Sequence, residues 1–159
     1  IHRPYRNVKP LARFLRDLVR FNQALHRGAP LPRRRHVVEA LLRVRRLARS
    51  HHRIYFVSDF EHWAGDWRDA FRALARHNEV VAIRVYDPLE REMPPADRYT
   101  MTDGVERWQF DAGDRRLRER YRERFETEQA AFEALCRDTG VTTASLSTVD
   151  EVQQAVGWL

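Results

Sequence analysis

Five polar residues that could do chemistry follow three apolar segments of the sequence. They are Ser58, Asp59, Asp87, Ser147 and Thr148. Carboxylate and hydroxyl oxygens are the ligands that hard divalent cations prefer, and two carboxylates beside a metal could support hydrolysis. The alternative is structural, because aspartate commonly caps loops and begins turns. The residue types leave both interpretations open for Asp59 and Asp87.

The segments before the two aspartates predict strands that bring them together. Residues 54–57 form a β-branched and aromatic run that is typical of a strand covered on both faces, and residues 80–85 form a second such run. A helix predicted over residues 66–77 joins them, which makes a right-handed βαβ unit with parallel strands. Parallel strands end at the same edge of a sheet, so we expect Asp59 and Asp87 at one edge.

The remaining elements of residues 54–159 follow from turn and helix signals. In chain order they are a β-hairpin with its turn at Asp103-Gly104, a long helix over residues 114–139 that stops at Gly140, a buried strand over residues 141–146 and a short helix from Asp150. This part of the chain is therefore predicted to be a βαβ core with a hairpin, a long helix and a last strand.

Residues 1–53 form a basic helical segment. Helices are predicted over residues 11–27, with an apolar side opposite a stripe of arginines, and over residues 36–49, which is apolar around most of its circumference and should be more buried. The segment has a net charge of +13, whereas residues 54–159 have −7. Its arginines could bind nucleic acid or another anionic surface. The acidic remainder and the lack of a recognisable nucleic-acid module instead favour a solvated face, or a surface that neutralises acidic neighbours within the intact protein.

Composition excludes several classes of protein. The chain has 159 residues, of which 43% are hydrophobic, enough for one core. One cysteine, Cys136, excludes an internal disulfide framework and a CxxC site, so a cytoplasmic location is expected. No apolar run reaches the ~20 residues of a membrane span, so any membrane anchor would have to come from segments absent here. Since the first residue is Ile1, we expect residues 1–159 to be one domain or part of one.

The βαβ segment resembles a known family. Residues 54–60, IYFVSDF, and residues 74–94, LARHNEVVAIRVYDPLEREMP, are similar to the bacterial domain of unknown function 58 family. Residues 117–121 and 146–148 resemble its long helix and last strand, so the resemblance covers at least residues 54–148. It implies a von Willebrand factor A-type fold, which is a doubly wound, mostly parallel α/β sheet with helices on both faces. This chain would be its C-terminal part, truncated on the N-terminal side.

The resemblance also implies a metal site that this sequence carries only in part. Such domains bind a divalent cation through a DxSxS motif after the first strand, a threonine or aspartate in a later loop, and an aspartate that ends the fourth strand. Asp59 matches the last, but no DxSxS occurs, and residues 32–36, PRRRH, offer neither an acid nor a hydroxyl where the second element should fall. We therefore expect no cofactor in this chain, and Mg²⁺ in the full-length protein only if the missing ligands precede Ile1.

The function implied by the resemblance is a non-enzymatic protein-interaction domain. Family members look like partners of MoxR-type AAA+ ATPases in complex assembly or maturation. Trp63, in the loop after Asp59, is a candidate partner contact, since aromatic residues are enriched at interface hot spots. Loss of the preceding strands would expose a sheet edge, so we expect a homo-oligomer. The alternatives are an Arg-rich module that binds nucleic acid or an anionic surface, and a metal-dependent hydrolase using Asp59 and Asp87, for which no general base is evident.

Overall fold

The computed structural model describes residues 8–24, 34–60, 64–102 and 105–151. The helices and strands of these residues, in chain order, are α1 (Val8–Gln23), α2 (Arg34–Leu47), β1 (Arg53–Ser58), α3 (Ala64–Ala75), β2 (Glu79–Tyr86), α4 (Pro88–Arg91), β3 (Arg98–Thr102), β4 (Arg107–Asp111), α5 (Arg115–Thr139) and β5 (Thr142–Ser147). The predicted elements are all present within these ranges except the closing helix, most of which lies outside the described residues. The turn Asp103-Gly104 also lies outside them.

The chain divides into two compact units. The smaller unit comprises residues 1–31 and 102–107 and contains α1, none of whose side chains is buried. The helix is amphipathic as predicted, but it begins and ends earlier than residues 11–27. The larger unit comprises residues 32–101 and 108–159 and contains the parallel sheet and the hydrophobic core.

The parallel sheet has the strand order β1-β2-β5. Its register places Ser58 opposite Arg84 and Tyr86 opposite Ser147. The predicted parallel pairing of the first two strands is therefore confirmed, and the third strand joins on the far side of β2. Strands β3 and β4 form a separate two-stranded sheet, which confirms the predicted hairpin.

The main hydrophobic cluster lies on one face of this sheet. Ile54, Phe56, Val80 and Ala82 alternate along β1 and β2 and pack with side chains of α2, α3 and α5. Both helical crossovers lie on this face because the strand order advances in one direction and such connections are right-handed. The structure supports a mixed α/β fold with a parallel sheet.

The prediction that the first strand is covered on both faces is wrong. Tyr55 and Val57, which lie on the face opposite the core, are 46% and 64% exposed. The exposure on this face is limited to β1, because the residues of β2 that pair with Tyr55 and Val57 are buried. The second helix is also less buried than predicted, because Leu42 and Leu47 are exposed while Leu41 is buried.

An aromatic cluster fixes the end of β1 against α3 and α5. Phe71 is fully buried and its ring centroid lies 5.5 Å from those of Phe56 and Trp67. Phe60, just after the strand, stacks on Phe132 of α5 with centroids 4.8 Å apart. Aromatic pairs of this kind contribute about 0.5–1.5 kcal/mol beyond the burial of their area. The cluster thus anchors the loop that carries Asp59.

The long helix α5 has the predicted bounds for local reasons. Asp114 accepts hydrogen bonds from the backbone N–H groups of Arg116 and Leu117, which satisfies donors at the helix start. Gly140 has φ 71, a left-handed conformation that stops the helix and favours glycine. Among the described residues, no helix combines the length and the apolar character that crossing a membrane requires.

Candidate functional site

The carboxyl edge of the parallel sheet brings together the residues that the sequence singled out. Asp59 follows β1, Asp87 follows β2, and Ser147 ends β5 with Thr148 directly after it. The parallel register places these positions at one edge because Tyr86 pairs with Ser147. Trp63, the candidate partner contact, lies outside the described residues.

Asp87 is held in a capping box at the start of α4. One carboxylate oxygen, Oδ1, accepts a hydrogen bond from the Leu89 N–H at 2.8 Å, and Glu90 Oε1 accepts from the Asp87 N–H at 3.1 Å. The other oxygen, Oδ2, accepts from the Thr148 hydroxyl at 3.3 Å. Both oxygens therefore have structural partners, as expected from the turn interpretation of this residue.

Asp59 lies in a tight turn that leaves β1. The Ser58 hydroxyl donates to Asp59 Oδ1 at 3.1 Å and accepts from the Phe60 N–H at 3.2 Å. Phe60 has φ 54, a left-handed conformation that is uncommon for a bulky residue. Its stacking on Phe132 compensates for this strain. Strained backbone of this kind clusters at functional sites, so this turn is a candidate for binding.

Ser147 serves the turn after β5. Its side chain is buried, its N–H donates to Asp150 Oδ2 at 2.8 Å and its hydroxyl accepts from the Val149 N–H at 3.4 Å. The five strand-end residues thus separate into a Ser58–Asp59 pair, an Asp87–Thr148 pair and this serine. The prediction that they share one edge is confirmed, and the hydrogen bonds described above lie within these local groups.

The described residues do not by themselves fit a divalent cation. Nowhere in the described ranges do three or more His, Cys, Asp or Glu side chains form a group that could hold a metal ion. Asp59 brings one carboxylate with the Ser58 hydroxyl, whereas Mg²⁺ requires near-octahedral oxygen coordination. The expectation that this chain holds no cofactor stays a prediction.

A cavity that the sequence analysis missed lies beside Asp59. It has a volume of about 320 Å³ and extends between the turn after β1, α3 and α5. Its walls combine aromatic rings with charged groups, among them Asp59, Phe60, Trp67, Arg84, Arg124 and Glu128. The carboxyl end of parallel strands is where ligands bind in open α/β sheets. This cavity is therefore the best candidate site in the larger unit.

Arg84 is the buried charge of this cavity. Its side chain is 4% exposed, and its Nη1 donates to Gln129 Oε1 at 2.7 Å. Its guanidinium carbon lies 5.0 Å from the centroid of the Phe125 ring, a favourable cation–π geometry. Glu128 is 3.9 Å from Nη2 but accepts a shorter bond, 2.8 Å, from Arg124. Burying a charge is costly unless it is paired, so the buried Arg84 is a candidate functional residue.

One sequence signal could have revealed Arg84. It is the only charged residue in the run from Val80 to Val85, which was already predicted to be a buried strand. An arginine is almost never fully buried without a partner, so its position could have predicted a polar group on a facing element. Which element supplies that group could not be read from the sequence, because Gln129 is 45 residues away.

One buried and one partly buried side chain of α5 have shifted pKa values. Burial raises the pKa of the Cys136 thiol to about 11, which keeps it protonated near neutral pH and unsuited to nucleophilic attack. Burial also raises the pKa of Tyr121, whose hydroxyl donates to the Leu89 carbonyl at 2.7 Å. Both groups therefore act as structural residues, as the sequence indicated for Cys136.

Comparison with known proteins gives one match. The family model described as Protein of unknown function DUF58 matches residues 4–131. This range is most of the chain, so the chain belongs to the DUF58 family and the predicted resemblance is confirmed. Searches of curated proteins and of solved structures found no significant match.

Proposed function

We propose that this member of the DUF58 family is a non-enzymatic protein-interaction domain with a von Willebrand factor A-type fold. The parallel α/β sheet and its polar carboxyl edge support the fold assignment. The observation that carries the proposed function is the edge strand β1. Among the described residues β1 pairs on one side only, with β2, and it presents the exposed side chains of Tyr55 and Val57.

An apolar edge strand is a ready template for another chain. Natural proteins protect such edges with charged residues, proline or bulges. Residues 54–58 contain no charge and no proline, and Arg53 at the start of the strand pairs with Glu79 of β2 at 2.7 Å. A partner strand added to β1 would gain main-chain hydrogen bonds and bury Val57, which is the strand-addition mode of recognition.

The proposed partner is a MoxR-type AAA+ ATPase, in complex assembly or maturation. The family resemblance supplies this partner class, and the open edge supplies a surface for it. A second copy of this chain could use the same edge, so we also propose that the isolated chain forms homo-oligomers.

A pair of matched variants tests this proposal. Val57→Lys places a charge on the exposed face of β1, while Met101→Lys changes a similarly exposed residue of β3. We expect calorimetry to show binding of the wild-type chain to a MoxR-type ATPase of the same organism. Val57→Lys should weaken that binding, and any self-association seen by light scattering, by at least about tenfold. Met101→Lys should leave both unchanged.

Two results would contradict the proposal. One is a monomeric chain that binds no such ATPase. The other is equal binding by the wild-type chain and by a folded Val57→Lys variant, since the edge would then have no part in recognition.

The Arg-rich alternative has one observation in its favour. The side chains of Arg43, Arg45 and Arg49 on and after α2 are exposed, so they could neutralise phosphates. Phosphate contacts of this kind make affinity fall steeply with salt, which the strand-addition mode does not require. Salt dependence therefore separates the two functions.

A further inference from the structure

The geometry points to the cavity beside Arg84 as a binding site for a small organic acid with one carboxylate and an apolar, ring-sized body. This inference does not rest on the proposed protein partner, because it concerns the cavity and not the edge of β1.

Two residues of the cavity wall have hydrogen-bond donors without an acceptor among the described residues, and of these two donors only the indole N–H of Trp67 is fully buried. Trp67 is only 7% exposed, and its buried indole N–H has no acceptor among the described residues. Arg84 Nη2 has its nearest carboxylate, that of Glu128, at 3.9 Å, beyond hydrogen-bond distance. Arg84 Nη2 is therefore the donor of this wall that a ligand oxygen could reach, and a hydrogen bond to a charged donor is among the stronger ones.

The charges of the wall favour an anion at Arg84. The three cations of the wall are Arg68, Arg84 and Arg124, and the two anions are Asp59 and Glu128. Arg68 pairs with Asp138 at 3.3 Å and Arg124 with Glu128 at 2.8 Å. Arg84 lies farther from its carboxylate partner, at 3.9 Å, than these two arginines lie from theirs. A planar guanidinium matches a carboxylate with two parallel hydrogen bonds.

The same wall limits how much charge and bulk the ligand can carry. A phosphate dianion would bring a second negative charge close to the carboxylates of Asp59 and Glu128, which line the same cavity. The rings of Phe60 and Phe132 instead offer an apolar surface for the body of the ligand. A volume of about 320 Å³ is at the small end of ligand sites, which suits one ring with a short side chain.

The first experiment uses 3-phenylpropionate as the probe. Titration of the ¹⁵N-labelled chain should produce a saturable shift of the Trp67 indole N–H resonance, which is assigned by its absence in Trp67→Phe. The neutral analogue 3-phenylpropan-1-ol has the same ring without the charge and should bind at least about tenfold more weakly. No saturable shift up to about 10 mM acid would overturn the inference. Equal binding of acid and alcohol would overturn it as well.

The second experiment tests Arg84 itself. Arg84→Met keeps most of the apolar stem and removes the charge, so affinity for 3-phenylpropionate should fall at least about tenfold. Arg120→Met is the matched control, because Arg120 is exposed on α5 and does not line the cavity. If circular dichroism shows that Arg84→Met does not fold, Arg84→Lys replaces it and should still weaken binding, since lysine lacks the planar fork. Unchanged affinity in a folded Arg84 variant would refute the assignment.

Discussion

Replacing Asp87 decides whether this strand-end carboxylate is a structural cap. In Asp87→Ala the Leu89 N–H loses its acceptor at 2.8 Å, and loss of an N-cap costs about 1 kcal/mol. The longer bond from the Thr148 hydroxyl, at 3.3 Å, adds about 0.5 kcal/mol because it is solvent-exposed. The sum, about 1.5 kcal/mol, corresponds to a decrease in Tm of about 3–6 °C for a chain of this size.

Thermal unfolding followed by circular dichroism measures this difference. Asp87→Asn keeps an oxygen for the Leu89 N–H, so its free energy of unfolding should stay within about 0.5 kcal/mol of wild type. Asp69→Ala, on the exposed surface of α3, is the matched control and should also stay within about 0.5 kcal/mol. If Asp87→Ala had the same Tm as the wild type, the proposed role of Asp87 as a stabilising helix cap would be refuted. Equal losses in Asp87→Ala and Asp87→Asn would show that the charge of Asp87, and not its role as an acceptor, stabilises the fold.

Four further predictions address the core, the thiol, metal binding and the basic segment. Phe71→Ala should lower the free energy of unfolding by about 3–5 kcal/mol in urea denaturation, because Phe71 is fully buried in the aromatic cluster; a loss below about 1 kcal/mol would contradict that packing. Since burial raises the pKa of Cys136 to about 11, thiol reagents at pH 8 should react only as fast as the chain unfolds, and stability should decline as the pH rises above 9; rapid labelling of the folded chain would refute this. Calorimetry should show no Mg²⁺ binding below millimolar concentration, whereas tight binding that Asp59→Ala abolishes would establish a metal site. Duplex DNA should bind weakly, without sequence preference and less strongly as salt increases; a strong preference for one sequence at physiological salt in a gel-shift assay would favour the Arg-rich alternative.

Local signals made much of the secondary structure readable from the sequence. The hairpin strands and both ends of α5 could be predicted because turn chemistry, an N-cap at Asp114 and a left-handed glycine at Gly140 act over a few residues. The parallel pairing of β1 and β2 also followed from the sequence, since a single helix between two apolar runs permits few topologies. The short helix α4 was missed, although Asp87-Pro88 is a typical start signal.

Tertiary structure decided which polar groups meet and which surfaces stay open. Asp59 and Asp87 share an edge as predicted, but the hydrogen bonds of Asp87 run to Leu89 and Thr148, and Asp59 lines a cavity with Arg84. The sequence showed Arg84 as one charge in an apolar run, while its partner Gln129 is on another element, 45 residues away. Tyr55 and Val57 read as core residues, yet they are exposed, whereas Val81 and Ile83, their partners on the same face of β2, are buried. Composition and periodicity determine local structure through interactions between near neighbours, whereas the cavity and the open edge depend on contacts between distant segments that no local pattern encodes.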